Sequence, residues 1–495
     1  MTTYSNFSGR KPRTTRLIFA GLLILGAILR LIDLTDPPLD FHPTRQLRGM
    51  LVSRDIYYQL TPNVDPEMQK LATDFRNRLG VYEPPIFETL VAWTYTWTGG
   101  ERIAIPRIYN TIFWLLGGVA LYDLARRFSS DKAALISLAF YLVLPFSVEA
   151  SRSFQPDPLM TSLFIGGFYY LYRWVEEKKW LYALFAALLF GFATLVKIVI
   201  AFFIAPLAIA AVLLVFGIKR FWKSPLVWGM ALLIISPAFI YYILNTGQNS
   251  SEFFVNRTLD MFQLLLTTKF YLHWMTFVGS LFGLPILYLS FLGVLLMPSR
   301  GRILLLSVWL GYFLYGMAFP FQTYTHSYYH IQLIPLVALG LAPIAQLIAE
   351  QASIQGRFWR GAIFAAVLVG IAYPAWVSRS VLVSEDFHHE PAFWAGVADA
   401  IPPDESAIAL TQDYGYRLMV FGWQKVALWP QATEMMRVRG NSIDAKNKFE
   451  SLTEGKDYFL VTAFGQLKEQ PALQEILDNY PVAAQGDGYI LYNLR

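Results

Sequence analysis

Eleven apolar runs punctuate the first 383 residues, and their lengths constrain the fold more than any motif does. A bilayer core about 30 Å thick takes roughly 20 apolar residues at 1.5 Å rise each, and backbone inside it must satisfy its own hydrogen bonds. The runs cover 17–34, 107–125, 133–148, 158–174, 180–196, 198–217, 225–244, 272–297, 303–319, 331–348 and 362–383. They predict eleven transmembrane helices in an all-α polytopic membrane protein. The first run carries the flanking Arg10, Lys11, Arg13 and Arg16 of a signal peptide, but Arg30 and Asp33 stand where a small-residue cleavage site belongs. It is therefore read as a retained helix. Only 15% of residues are charged and 55% are hydrophobic, a balance that excludes a disordered chain. The absence of cysteine removes disulfide frameworks, thiolate nucleophiles, zinc–thiolate sites and iron–sulfur clusters together.

Lys and Arg accumulate in cytoplasmic loops, so their placement sets the orientation. With the N-terminus inside, inward segments hold seventeen of them, Arg126, Arg127, Lys219, Arg220, Arg300 and Arg302 included, whereas the short outward connections hold Arg152, Lys197, Arg257 and Lys269. An odd number of spans then puts the C-terminal tail outside. Residues 1–383 carry 31 Lys and Arg against 19 Asp and Glu, and residues 384–495 carry 9 against 16. Such a split fits a membrane chain with an acidic outer domain, and nucleic acid need not be invoked.

Two outward segments are long. Residues 35–106 include Pro84 and Pro85 followed by an amphipathic stretch, 86–98, with Trp93, Tyr95 and Trp97, aromatic residues of the kind that favour the headgroup layer. Residues 384–495 hold strand-like runs at 407–410, 418–421, 458–462 and 489–492 and a helical stretch at 471–479. The expected organisation is a membrane domain over 1–383, containing the 35–106 outer loop with interfacial helices, and a small extracytoplasmic α/β domain over 384–495.

Chemistry-bearing residues collect on the predicted outer side: Asp40, His42, Arg45, Gln46 and Glu83, then Arg152, Gln155 and Asp157, then Lys197, then His326, Tyr328, Tyr329 and His330. Lys197 interrupts an apolar stretch, so it either snorkels to the interface or meets something anionic. Asp157, between two prolines, has a plain alternative as a helix cap. His326 and His330 have metal-ligand spacing but no third acidic ligand nearby in sequence, and a structurally satisfied pair explains them equally. Asp40 and Glu83, taken singly, read as solvated loop acids, and His388 and His389 as interfacial structural residues. Four separate connections bringing acids and cations to one side suit a reaction in which a carboxylate takes a hydroxyl proton while Arg or Lys stabilises a departing phosphate.

Five segments in order resemble the GT-C glycosyltransferases related to protein O-mannosyltransferases and aminoarabinose transferases: Asp40-Phe41-His42-Pro43-Thr44-Arg45-Gln46, Tyr82-Glu83-Pro84-Pro85, Ser153 to Met160 around Asp157, Leu195-Val196-Lys197, and Thr325-His326-Ser327-Tyr328-Tyr329. The resemblance covers residues 17 to about 350. It implies a sugar donor linked to a polyprenyl phosphate of the undecaprenyl or dolichyl type. It further implies an acceptor hydroxyl on a lipid, glycan or protein at the outer face of the plasma membrane, and transfer of a hexose or pentose with inversion. It also implies Asp40 and Glu83 as catalytic acids, Arg45 and Lys197 near the donor phosphate, and His42, Gln46, Asp157, His326 and Tyr329 as further site residues. The family's Asp-Glu pair is replaced here by Asp40-Phe41-His42, which leaves Asp40, His42 and Glu83 all open as the base. No cofactor is called for, no metal ligands are assigned, and a divalent ion is left open. A transporter or flippase of envelope glycolipids is the alternative, disfavoured because polar residues gather at one side instead of mid-helix and no paired repeat is evident. A non-catalytic scaffold would explain the tail but not Lys197.

Overall fold

The computed structural model describes residues 13–80, 83–245, 262–402, 405–432 and 445–495. Arg10, Lys11, Tyr82 and Arg257 lie outside them. All eleven apolar runs are helical. Seven meet the length and hydropathy of a membrane span: Arg13–Leu31, Ala104–Phe128, Ile198–Phe216, Pro225–Leu244, Ser299–Ala318, Leu333–Gln355 and Arg357–Ser384. Two more runs are bent pairs, Asp131–Val143 with Pro145–Arg152 at 59° and Thr268–Phe282 with Leu284–Leu296 at 93°. The remaining two, Asp157–Glu177 and Trp180–Val196, fall short, the second because it has only 17 residues. The chain is a polytopic helical membrane protein with a small C-terminal sheet.

It divides into two compact units, one of Met1–Leu34, Val81–Phe87 and Ala104–Glu385, the other of Thr35–Gly80, Glu88–Ile103 and Asp386–Arg495. In the first, the 59° bend has a chemical cause. Pro145 has no N–H for Tyr141 O, the carbonyl four residues back. That carbonyl instead accepts from Ser147 Oγ at 2.5 Å and Trp114 Nε1 at 3.3 Å. Arg30, 0% exposed, donates to Leu142 O at 2.9 Å and to Ser151 Oγ at 2.6 Å, so the broken helix leaves these carbonyls satisfied in a region without water. The 93° bend falls at Gly283, whose φ of 84° favours glycine.

In the second unit the tail forms a five-stranded sheet in the order β2-β1-β3-β5-β4, with β1 Ala407–Leu410, β2 Ala427–Leu428, β3 Tyr458–Val461, β4 Val482–Gly486 and β5 Tyr489–Asn493. β1 runs parallel to both β2 and β3, while β5 is antiparallel to β3 and β4. Side chains alternate as strand geometry requires. Ile408, Leu410, Phe459 and Val461 pack with Trp429 and Phe449; Ala407, Ala409, Tyr458 and Leu460 pack with Trp394 and Leu418. The stretch 418–421, expected as a strand, is the end of the helix Tyr416–Phe421. Its last carbonyls, orphaned as at any helix C-terminus, receive Arg54: Nη1 donates to Met419 O at 3.1 Å and Nη2 to Val420 O at 2.9 Å. Arg54 itself stacks on Trp423 and pairs with Glu101. The segment 35–106 forms the helices Pro43–Leu60, Pro66–Asn77 and Ile86–Thr98, the last coinciding with the predicted amphipathic stretch.

Candidate active site

Lys197 ends the helix Trp180–Val196 in an extended conformation, φ −156° and ψ 111°, before a short turn opens the next helix. The kink points its ammonium into the unit instead of along the helix: Nζ lies 2.9 Å and 3.0 Å from the two carboxylate oxygens of Asp157. Glu83 Oε1 is 3.6 Å away, and the rings of Tyr328 and Tyr329 face the same ammonium at 5.3 Å and 6.0 Å. Lys197 is 6% exposed and Asp157 0%. A charge this deep is stable only when paired, which answers the snorkelling alternative, and two carboxylates surround it.

Asp157 is the first residue of the helix Asp157–Glu177, and both oxygens of its carboxylate accept from Lys197. The turn before it is pinned by Asn110, whose Nδ2 donates to Ser153 O at 2.5 Å and Gln155 O at 3.0 Å. Asn110 escaped the sequence reading because it sits inside an apolar run. The structure thus brings together Glu83, Asp157, Lys197, Tyr328 and Tyr329 from four separate connections. His326 is nearby, with its ring 5.5 Å from that of Tyr328 and Nδ1 hydrogen-bonded to Thr325 Oγ1. His330 points elsewhere and is fully buried: Tyr312 Oη donates to its Nδ1 at 2.8 Å, and its Nε2 donates to Thr323 O at 2.6 Å. Burial pushes this imidazole down to about 4, so it stays neutral, and the two histidines do not converge as metal ligands.

Asp40, His42, Arg45 and Gln46 belong to the second unit. Gln46 is 0% exposed; its Nε2 donates to Asp40 Oδ1 at 2.8 Å and to Phe41 O at 2.9 Å. The Phe41 N–H donates to the same Asp40 oxygen at 2.9 Å, so one oxygen of the carboxylate is oriented by two donors. His42 occupies the left-handed region, φ 50°, just ahead of Pro43. Its carbonyl accepts the Arg45 N–H at 2.9 Å, which turns the chain into the helix. Among the described residues one group has metal-ligand spacing, Asp36, Asp386 and His388, with ligand atoms within 4.8 Å of one another. His388 Nδ1 is 3.1 Å from Asp36 and 2.8 Å from Asp386. The His388 backbone N–H, donating to Asp386, holds that carboxyl below its usual value. The three side chains already form a hydrogen-bonded staple through His388 Nδ1.

Residues 83–242 match the family model of dolichyl-phosphate-mannose-protein mannosyltransferase. The solved structure of ArnT from Cupriavidus metallidurans bound to undecaprenyl phosphate is similar over 97% of this chain and 98% of its own, with TM-score 0.59 and 16% identity. The fold is GT-C. This GT-C architecture is shared with the archaeal oligosaccharyltransferase AglB from Archaeoglobus fulgidus, solved with an inhibitory peptide and a dolichol-phosphate, at TM-score 0.55 and 12% identity over 91% of this chain and 70% of that one. No curated protein matches the sequence. The segment that matches the family model begins at Glu83 and contains Asp157 and Lys197, whereas Tyr328 and Tyr329 lie beyond it.

Proposed function

We propose that this chain is a membrane glycosyltransferase that moves a sugar from a polyprenyl-phosphate carrier to an acceptor hydroxyl at the outer face of the membrane, with inversion. The observation that carries the reading is the Glu83–Asp157–Lys197 cluster, buried inside a segment that matches the mannosyltransferase family and set in the fold of a protein solved with undecaprenyl phosphate. In the reaction, Asp40 accepts the acceptor's hydroxyl proton as its oxygen attacks the anomeric carbon. The bond from that carbon to the phosphate oxygen breaks, and the polyprenyl phosphate leaves with the electron pair. Lys197 and Arg45 stabilise the charge that develops on the phosphate. Asp157 holds Lys197 in place, and the longer Glu83 contact, 3.6 Å, is the one that the donor phosphate replaces. Gln46 and the Phe41 N–H orient Asp40. The N-terminus lies in the cytoplasm and the tail outside, the arrangement that the basic loops favour; the tail is the natural place for acceptor contacts.

The test is Asp40→Asn, which keeps shape and removes basicity. With a radiolabelled polyprenyl-phosphate sugar, turnover is expected to fall at least about a hundred-fold while donor binding persists. Glu83→Gln is expected to lose less. Full activity in Asp40→Asn with none in His42→Ala or Glu83→Gln moves the base to that residue, and activity in all three sinks the mechanism.

A further inference from the structure

After β1 the chain enters a turn in which Asp413, Tyr414 and Gly415 have φ of 48°, 55° and 73°. Glycine reaches this region freely. Two successive side chains with a Cβ do not, and they persist there only where the surroundings impose it. Core packing does not explain the tyrosine, which is 44% exposed. What grips the turn is Asp413: Oδ1 accepts from Thr44 Oγ1 at 2.9 Å and Oδ2 from Arg417 Nε at 2.6 Å. Arg417 continues to Glu390 at 3.0 Å, and Glu390 accepts from Trp394 Nε1 at 2.6 Å.

The turn also sits at the carboxyl end of β1, between two parallel neighbours, the end at which α/β sheets meet their ligands. Thr411, Gln412 and Thr462 form a hydrogen-bonded polar cluster at the same end. Thr44, the far partner of Asp413, is the second residue of the helix Pro43–Leu60. It stands between His42 and Arg45 and four residues beyond Asp40. A strained turn and the acidic loop are therefore joined by one hydrogen bond that spans 369 positions of sequence.

We infer that Asp413–Tyr414–Gly415 is a positioning element of the transfer site: through Thr44 it sets the loop that carries Asp40, His42 and Arg45. This rests on the reading of that loop as part of a glycosyltransferase site. Asp413 and Thr44 act through Asp40 and touch no reacting atom themselves. The strain at Tyr414 is what a turn retained for function shows, since glycine would relax the backbone there.

Two arms test it in the full-length protein in detergent. In the first, Thr44→Val and Asp413→Ala each raise amide hydrogen exchange across residues 40–46, and Thr44→Ser, which keeps the hydroxyl donor and leaves the Asp413–Arg417 pair intact, does not. In the second, with the same donor assay, turnover falls about ten- to a hundred-fold in Thr44→Val and Asp413→Ala with donor KM little changed, as for a displaced base. The double variant is no worse than the poorer single one, Thr44→Ser retains most activity, and Tyr414→Gly raises the thermal midpoint while lowering turnover. Unchanged exchange overturns the inference whatever the activity. So does faster exchange with full turnover while Asp40→Asn is inactive. A wild-type protein inactive on polyprenyl-phosphate sugars sinks the glycosyltransferase reading and this inference with it, an outcome distinct from the other two.

Discussion

Lys197 shows what a single residue discloses in sequence and what it withholds. Its apolar surroundings require an anionic partner, and that much was legible. The partner's identity was not, because Asp157 lies 40 positions away and its flanking prolines suggest a cap. The pairing changes what a substitution does. Removing one member of a buried ion pair leaves the other uncompensated and typically costs about 3–5 kcal/mol, whereas replacing both by apolar residues is often neutral. Lys197→Met is therefore expected to lower the thermal midpoint in detergent sharply, and Lys197→Met with Asp157→Leu to recover most of it. Donor binding separates structure from chemistry: it stays lost in the double variant if Lys197 meets the phosphate. Normal binding and transfer by a restored double variant would make the pair structural only. Arg30 was visible only as a charge that argued against cleavage. Its clamp on Leu142 and Ser151 depends on a helix more than a hundred positions away, which no local pattern reports.

At the scale of elements, hydropathy found every long helix among the described residues of the membrane part, missed the six-residue helix Pro320–Thr325, and ran through two of the breaks. Pro145 and Gly283 lie inside apolar runs, and the atoms that make the first break tolerable, from Trp114 and Arg30, are remote in sequence. Hydropathy also misread 418–421, a helical stretch after the strained turn from which Leu418 and Phe421 pack on the sheet, and it missed β4, mostly exposed and so without an apolar signature. The connection holding His330 offers a pH test. Its folded pKa of about 4 lies below the usual 6.5, so between those values the unfolded chain binds the extra proton and stability rises with pH. The contribution is whole above about 6.5 and is lost as the pH falls toward 4. Over that window the thermal midpoint of wild type is expected to drop more steeply than that of His330→Gln. Parallel curves would mean that the imidazole is not held neutral.

For the whole molecule the question is which helices cross, and the buried cluster supplies a parity argument. Glu83, Asp157, Lys197 and Tyr328 meet around one ammonium, so they share one side of the membrane, and an even number of crossings must separate each from the next. Between Glu83 and Asp157 lie the span Ala104–Phe128 and the pair bent by 59°, which must therefore cross. Asp157–Glu177 and Trp180–Val196 must cross together or not at all, and at 17 residues the shorter still lies at the lower limit for a span. Between Lys197 and Tyr328 lie three straight spans, Ile198–Phe216, Pro225–Leu244 and Ser299–Ala318, and the pair bent by 93°. If that pair were re-entrant the count would be odd, and Lys197 could not face Tyr328. The pair is expected to cross, which keeps Ser299 and Ser353 in the cytoplasm and the tail outside. Because the chain has no cysteine, single replacements report cleanly. Ser299, Ser353 and Ala472 are all exposed in the fold, unlike Ser406, which bonds Asp457 through both its N–H and its hydroxyl. In intact cells Ser299→Cys and Ser353→Cys are expected to resist a membrane-impermeant maleimide and Ala472→Cys to react. A re-entrant pair predicts the complete inverse, two labelled sites and a protected tail, and that result would break the parity on which the shared side of Lys197 and Tyr328 depends.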